Sequence, residues 1–224
     1  MIASMMTAQV PDPAQQRKLR ADEELRQEEH QRILGIMPNF NTSNVKDAEP
    51  LSPRQKFALA TKSAFDPFTF LAAGLDAGLS QWENDFPEYR QGTEGYAKRF
   101  GAAYADSFDG VMIGNALFPV LLRQDPRYFR KATGSFARRF GYALVSTFKC
   151  KNDAGRWVPN YSNVLGNIAA GGISNLYYPS ADRGVGLTFQ RAATVTAEGA
   201  LGAVFVEFWP DISRKLFSKR SGSP

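Results

Sequence analysis

The chain has few of the residues from which metal, redox and nucleophilic sites are usually built. Its 224 residues include one cysteine, Cys150, and one histidine, His30. One cysteine cannot form an intramolecular disulfide, and a zinc site made of several thiolates is excluded as well. A lone histidine in a highly charged segment does not supply a Ser-His-Asp triad in a core. The sequence therefore predicts no metal site.

Long apolar runs and familiar active-site motifs are also absent from the sequence. No run of about 18 uncharged apolar residues occurs, so a simple spanning helix is not predicted. The P-loop, H-E-x-x-H, G-x-S-x-G and EF-hand patterns are missing, and "GNIAAGG" does not fit the G-x-G-x-x-G dinucleotide fingerprint. We therefore expect no cofactor and assign no catalytic residue.

Charge is present in moderate amount and does not by itself indicate a partner. Hydrophobic residues make up 43% and charged residues 22% of the chain, as in an ordinary folded protein. The formal net charge of +5 permits attraction to anionic lipid or nucleic acid without requiring it.

Five segments follow from the composition along the chain. Residues 1–13 are small and apolar, and we interpret them as the end of a signal peptide or as a disordered terminus. A charged helix is predicted over 14–34 and a linker rich in Asn, Ser, Thr and Pro over 35–51. The helical body spans 52–217, and 218–224 form a disordered tail.

The body is predicted to be all-α, a compact bundle of five or six close-packed helices rich in Gly and Ala. Ser52 and Asp66 each precede a proline, which is typical of a helix N-cap followed by Pro at the first helical position. Pro119 should end or kink a long helix over 94–122. Turn residues between two short extended arms predict a β-hairpin-like insertion over 149–160.

Two segments of the body resemble each other. "YAKRFGAAYADSF" (96–108) and "FARRFGYALVSTF" (136–148) align without a gap, with identical residues at six positions. The match indicates an internal duplication, or similar packing demands that select similar residues. Both interpretations stay open at the level of the sequence.

Small residues spaced four apart recur in several helices and predict close helix–helix contacts. Such spacing forms a flat groove into which a second backbone can pack, and a mid-helix glycine otherwise costs about 1 kcal/mol. Gly171 and Gly172 in particular are predicted to be contact points, against Gly101, Gly141 or Trp209. The candidate packing residues are Gly74, Gly78, Gly101, Gly110, Gly114, Gly141, Gly166, Gly171, Gly172 and Gly199.

Polar residues within the apolar helices need partners if they are buried. Amides would form interhelical hydrogen bonds, and carboxylates would pair with arginines. A carboxylate pair engaged in acid–base chemistry or ion transfer is the alternative. The buried polar candidates are Asp76, Asp106, Asn115, Asn167, Asn175, Glu198, Arg99 and Arg139.

The stretch "DPRYFRKATGSFARRF" mixes basic and aromatic residues. It could be an aromatic loop with a solvated basic rim, a membrane-interface anchor, or a surface for single-stranded nucleic acid. The candidate interfacial residues are Arg127, Tyr128, Phe129, Arg130, Tyr177, Tyr178 and Trp209.

From residue 51 to 212 the chain resembles a group of uncharacterised bacterial envelope or secreted proteins. The resemblance is carried by "LSPRQKF", "GYAKRFGAAYAD", "DPRYFR", "NYSNVLGNIAAGGISNLYYP" and "EFWPDI". The group has no established activity, so no catalytic residues are carried over. The resemblance implies an exported protein of the bacterial cell envelope, on the periplasmic or outer-membrane side.

The sequence thus favours a non-enzymatic envelope protein that is membrane-associated or self-assembling. Its expected partners are a membrane, a further copy of the chain or another envelope protein. The alternatives are a helical enzyme that uses Asp or Glu and Tyr in an internal cleft, and a basic–aromatic nucleic-acid-binding protein.

Overall fold

A computed structural model describes residues 12–29, 32–33, 37–38, 41–45 and 47–217. This part of the chain is mostly helical with short two-stranded pairings, and the all-α prediction is confirmed. The helices are α1 (Pro13–Glu29), α2 (Pro53–Ala64), α3 (Pro67–Glu83), α4 (Gly92–Met112), α5 (Phe118–Leu121), α6 (Phe136–Val145), α7 (Tyr161–Ser174) and α8 (Val185–Phe217). The strands are β1 (Arg32–Ile33), β2 (Met37–Pro38), β3 (Thr42–Ser43), β4 (Tyr128–Phe129), β5 (Lys149–Lys151) and β6 (Trp157–Pro159).

Both predicted N-caps begin helices in the structure. The Ser52 hydroxyl accepts from the Gln55 N–H, and the Gln55 side chain accepts from the Ser52 N–H at 2.8 Å, which makes a capping box. The Asp66 carboxylate accepts from the Phe68 N–H at 2.9 Å. Each cap satisfies N–H groups that the first helical turn leaves without partners.

The long third helix of the body neither stops nor simply kinks at Pro119. Between α4 and α5 the chain forms a π-helical turn over Ile113–Leu117, in which the Phe118 N–H donates to the Ile113 carbonyl. The π-helical turn adds one residue to the helical hydrogen-bond pattern just before Pro119. The ring nitrogen of Pro119 carries no hydrogen and cannot donate a hydrogen bond. The chain thereby stays helical to Leu121.

The N-terminal helix is attached to the body. Leu25 of α1 is buried with Leu51 and Leu59. The Gln55 side chain donates to Asp22 at 2.7 Å. The segment predicted as a linker also contributes structure, because β3 pairs in parallel with β4. Residues 1–11 and 218–224, for which a signal-peptide remnant and a tail were predicted, lie outside the described residues.

The predicted hairpin is present as β5 paired antiparallel with β6. Cys150 lies opposite Val158, and an isolated bridge joins Gln124 to Asn152 beside it. The hairpin lines two of the cavities described below, those of about 120 Å³ and 200 Å³.

Helix α7 approaches its neighbours at two glycines. A Cβ atom on Gly166 would lie 2.6 Å from the Cα of Gly114, and one on Gly171 would overlap the Thr188 carbonyl oxygen of α8. Any side chain at these two positions would force the backbones apart, so both glycines mark close backbone contacts.

The other predicted packing glycines differ from this pattern. Added Cβ atoms at Gly74, Gly78, Gly110 and Gly114 would meet side chains at ordinary or slightly short distances. The prediction of close contact is wrong for four positions, because the space beside them is open and an added Cβ would find no described atom within 4 Å: Gly101, Gly141, Gly172 and Gly199.

Candidate functional site

The Asp106 carboxylate lies at the centre of a buried polar cluster between α4, α7 and α8. It accepts hydrogen bonds from Ser174 at 2.6 Å and from Tyr177 and Tyr178 at 2.7 Å each. A guanidinium nitrogen of Arg191 lies 2.6 Å from it. Asp106 is only 3% exposed, and an ionised carboxylate in such a place requires this many donors. We call these five residues the Asp106 cluster.

Protonation states in the Asp106 cluster are set by burial and by the central carboxylate. Burial, together with the charge of Asp106, raises the pKa of Tyr177 and of Tyr178 far above the usual range, so both stay hydroxyl donors. Burial acts to lower the pKa of Arg191, but attraction to Asp106 outweighs it and the pKa is raised. The cluster is therefore a fixed ion pair surrounded by neutral donors.

A cavity of about 40 Å³ adjoins the Asp106 cluster. The Ser80 hydroxyl and the Nε of Arg191 are buried there with no hydrogen-bond partner among the described residues. Polar atoms of this kind are usually satisfied by water, and a cavity of this volume has room for only a few water molecules. Its walls are Asp76, Ser80, Asp85, Phe86, Tyr89, Arg99, Ala102, Tyr178 and Arg191.

Three further carboxylates surround the Asp106 cluster. Burial raises the pKa of Asp76 and of Asp109, with the neighbouring Asp106 adding to both shifts. Glu198 of α8 is an exposed residue, but partial burial of its carboxyl group raises its pKa, and the neighbouring charge of Asp76 adds to the shift. These three groups take up protons more readily than ordinary surface carboxylates.

A second buried carboxylate, Glu207 of α8, holds the loop after β4. It is 0% exposed and accepts from the Tyr128 hydroxyl at 2.7 Å and from Nε of Arg139 at 2.7 Å. The N–H groups of Lys131 and Ala132 donate to it at 2.9 Å each. Burial acts to raise the pKa of Glu207, but these hydrogen bonds outweigh it and the pKa is lowered. We call these five residues the Glu207 cluster.

The motifs that carry the resemblance meet in pairs at these two clusters. "GYAKRFGAAYAD" and "NYSNVLGNIAAGGISNLYYP" supply the carboxylate and the hydroxyls of the Asp106 cluster. "DPRYFR" and "EFWPDI" supply the tyrosine and the carboxylate of the Glu207 cluster. Both pairings join segments that are far apart in sequence, so these motifs contribute long-range contacts within the body.

The two segments that resemble each other place their matching residues in similar surroundings. Arg99 is buried and donates to the carbonyls of Asp85 and Arg90 at 2.6 Å each. Arg139 is buried and donates to the Glu207 carbonyl at 2.6 Å. In both segments an arginine thus secures a loop or helix backbone. Duplication stays a prediction.

The predicted buried polar residues are distributed over three levels of exposure. Asp106, Asn167, Arg99 and Arg139 are buried. Asp76, Asn115 and Asn175 are half-buried, and Glu198 is exposed, so its assignment to the buried set is wrong.

Two of the predicted amides join α7 to α8. The Asn167 side chain donates to the Thr196 hydroxyl at 2.9 Å, and that of Asn175 to the Thr188 hydroxyl at 2.8 Å. These are the interhelical hydrogen bonds that the apolar setting of the amides requires.

Three of the seven predicted interfacial residues lie inside the body. Arg127, Phe129 and Tyr178 are buried, and Arg127 pairs with Asp125 at 2.8 Å. Arg127 and Phe129 are core residues because the hairpin covers their loop, where Trp157 and Lys151 contact the Phe129 ring, and Tyr178 is buried in the Asp106 cluster. The half-buried ones are Tyr128, Arg130, Tyr177 and Trp209.

Sequence reasoning missed a buried ion pair. Lys56 of α2 is fully buried, and its ammonium lies 2.7 Å from Asp153 of the hairpin. Nothing local distinguishes this lysine from the exposed ones around it, because its partner lies 97 residues away.

A further polar cavity, of about 120 Å³, lies under the loop that carries "DPRYFR". Cys150 lines it, and burial with the nearby Asp125 raises the pKa of this thiol to about 12. The thiol is therefore inert near neutral pH.

The outside of the body carries many large apolar side chains. On α3 the side chains of Leu71, Leu75, Leu79 and Trp82 are 52%, 68%, 50% and 82% exposed, along one face. We call them the α3 stripe. Similar residues on other helices and turns are Phe136, Phe140, Leu144, Phe148, Tyr161, Leu165, Leu176, Val185, Phe189, Leu201 and Phe205.

An apolar groove of about 450 Å³ lies between the turn after α6, α7 and α8. Phe148, Val164, Ile168 and Phe189 line it together with alanines and threonines of α8. None of the described helices is both long enough and apolar enough to cross a bilayer. No group of three or more acidic, histidine or cysteine side chains in the described part of the chain could hold a metal ion.

No protein-family model, curated protein or solved structure matches the chain.

Proposed function

We propose that this chain is a non-enzymatic protein of the bacterial cell envelope that binds to membrane lipid through the apolar faces of its outer helices. The observation that carries the proposal is the distribution of side chains. Charged groups such as Asp106, Arg99 and Glu207 are buried and bonded, whereas many large apolar side chains are exposed. Extended apolar surface in contact with water is costly, so it usually marks an interaction site.

The charge content of α3, which carries the α3 stripe, supports lipid as the partner. From Pro67 to Trp82 the chain carries one charged residue, the half-buried Asp76. Water-facing helices normally present a charged face opposite the core. An apolar surface bounded by hydrocarbon needs no such face.

The spread of the apolar residues also favours lipid over a single protein partner. The α3 stripe lies on a helix that packs against α4, while α6 packs against α8. A two-fold interface would use one self-complementary patch. Apolar residues on several separately packed helices fit a continuous solvent such as the bilayer interior better.

The cavity beside the Asp106 cluster supports an enzymatic function less well than a structural one. The cavity beside Asp76 and Arg191 has a volume of about 40 Å³, and the Asp106 carboxylate already accepts from three hydroxyls. A general acid or base needs room for the substrate within hydrogen-bond reach. The hydrogen bonds of the Asp106 cluster therefore fit a structural role. The proposed location in the envelope is supported by the resemblance of the motifs to those of envelope proteins.

Vesicle flotation tests the proposal. Wild-type protein should float with phospholipid vesicles, and a variant with Leu71→Ser, Leu75→Ser and Leu79→Ser should float less. These side chains are at least half exposed, so the variant should keep its circular dichroism spectrum and melting temperature. If wild type stays in the soluble fraction as an oligomer that the variant fails to form, self-assembly is the function and the lipid proposal is wrong.

A further inference from the structure

A cavity of about 200 Å³ opens between the loop after β4, α6 and the hairpin. Three of its lining residues are basic and three are aromatic. The full lining is Phe129, Arg130, Lys131, Thr133, Tyr142, Lys151 and Trp157. We call it the basic–aromatic cavity. The proposed function does not use it.

Positive charge is concentrated in this cavity by the packing of cations on rings. The Lys151 ammonium lies 4.3 Å from the Phe129 ring centroid and 5.7 Å from that of Trp157. The Lys131 ammonium lies 5.3 Å from the Tyr142 centroid. The aromatic faces hold these cations at the wall of the cavity.

No carboxylate occurs among the described residues that line the cavity. The nearest acidic group in the described structure with bonds to this loop is Glu207, which accepts from the Lys131 N–H. Glu207 is sealed from solvent and paired with Arg139 at 2.7 Å. Its charge is thus compensated by Arg139 of α6, and the side chains of Arg130 and Lys131 give the described wall of the cavity an excess of positive charge.

We propose that the basic–aromatic cavity binds the phosphate group of an organic phosphate ester. Arg130, Lys131 and Lys151 would donate to the phosphate oxygens, since charge-assisted hydrogen bonds to phosphate suit both residue types. The rings of Tyr142 and Trp157 would cover the organic substituent next to the phosphate. The same chemistry is offered by a soluble ester and by a lipid headgroup.

Lys131 is the residue with which to test the site. Its side chain lines the cavity, while its contact with Glu207 is made by the backbone N–H, which a substitution leaves in place. Arg130 is less suitable because its Nε donates to the Glu207 carbonyl at 3.1 Å. Lys98 provides the matched control, as an exposed lysine on α4 paired with Glu94.

Calorimetric titration of the full chain with phenyl phosphate is the first arm. Wild type should bind, with an affinity that falls as salt is added. Lys131→Gln should weaken binding about tenfold through the loss of one charge-assisted bond, and Lys131→Arg should keep most of it. Lys98→Gln should bind like wild type.

Flotation with phosphatidylcholine vesicles, with and without phosphatidic acid, is the second arm. A gain in binding from phosphatidic acid that Lys131→Gln removes would identify a lipid headgroup as the source, and phenyl phosphate binding alone would identify a soluble ester. Either result supports the site. The proposal is overturned if neither probe binds, or if Lys131→Gln and Lys98→Gln behave alike. It is also overturned if only a single-stranded oligonucleotide binds.

Lipid binding by the apolar faces and phosphate binding by the basic–aromatic cavity can be refuted independently of each other. The α3 stripe variant should keep phenyl phosphate binding even if it no longer floats, because its three substitutions lie on a helix that does not line the basic–aromatic cavity. Lys131→Gln should keep floating on vesicles without phosphatidic acid.

Discussion

The Tyr178 hydroxyl donates to the Asp106 carboxylate at 2.7 Å and joins the turn after α7 to the C-terminal half of α4. Asp106 also binds Ser174, Tyr177 and Arg191, so one side chain connects three helices. Removing its charge should leave the Arg191 guanidinium without its close partner in the interior. Breaking a buried pair in this way costs about 3–5 kcal/mol.

Asp106→Asn should therefore lower the free energy of unfolding by about 3 kcal/mol or more. Asp109→Asn is the matched control, on the same helix and with the same chemical change. Asp109 has only a 3.4 Å contact with Tyr177, and burial raises its pKa, so the folded protein tolerates its neutral form. Urea unfolding of both variants provides the comparison, and equal losses would contradict a special role for Asp106.

Adjacent glycines of α7 should respond in opposite directions. Gly171→Ala places a methyl group against the Thr188 carbonyl oxygen and should destabilise by about 1–3 kcal/mol. Gly172→Ala finds no described atom within 4 Å and should stabilise by about 0.5–1 kcal/mol through helix propensity. Thermal unfolding of the two single variants measures the difference. Similar melting temperatures would mean that α7 and α8 do not touch at Gly171.

The contribution of Glu207 to the free energy of unfolding should decrease as the pH falls. Because its pKa is lowered in the folded protein, its contribution is present above the unfolded pKa of about 4.5 and is lost as pH falls through the folded value. Glu207→Gln should thus be less stable than wild type at pH 7, with a gap that narrows below about pH 4.5. Urea titrations at several pH values test this. A gap that stays constant at low pH would argue against the ionised pairing with Arg139.

Cys150 should react with thiol reagents only after unfolding. Its pKa is raised to about 12, chiefly by burial, so the thiolate is scarce at pH 8. A disulfide-exchange reagent should label native protein far more slowly than protein in urea. Fast labelling of the native state would show that the cavity it lines is open to solvent.

The local features of the fold could be predicted from the sequence, and the long-range contacts could not. Ser52 and Asp66 begin helices because a cap depends on neighbouring residues alone. The different surroundings of Gly171 and Gly172 depend on where α8 packs, and one residue along a helix turns the chain by about 100°. Sequence spacing does not define that direction.

The candidate site was only partly foreseeable for the same reason. The polar residues that need partners could be named, but the meeting of Tyr177 and Tyr178 with Asp106 joins positions about 70 residues apart. The burial of Arg127 and Phe129 was not expected, because their basic and aromatic character suits a surface anchor equally well.

The central claim, that the exposed apolar faces contact lipid, is tested most directly by the fluorescence of Trp82. This side chain is 82% exposed at the end of the α3 stripe. In a Trp157→Phe, Trp209→Phe background, vesicles brominated on their acyl chains should quench Trp82 emission, and unbrominated vesicles should not. Emission that is unaffected by brominated lipid, under conditions in which the protein floats with the vesicles, would contradict the claim.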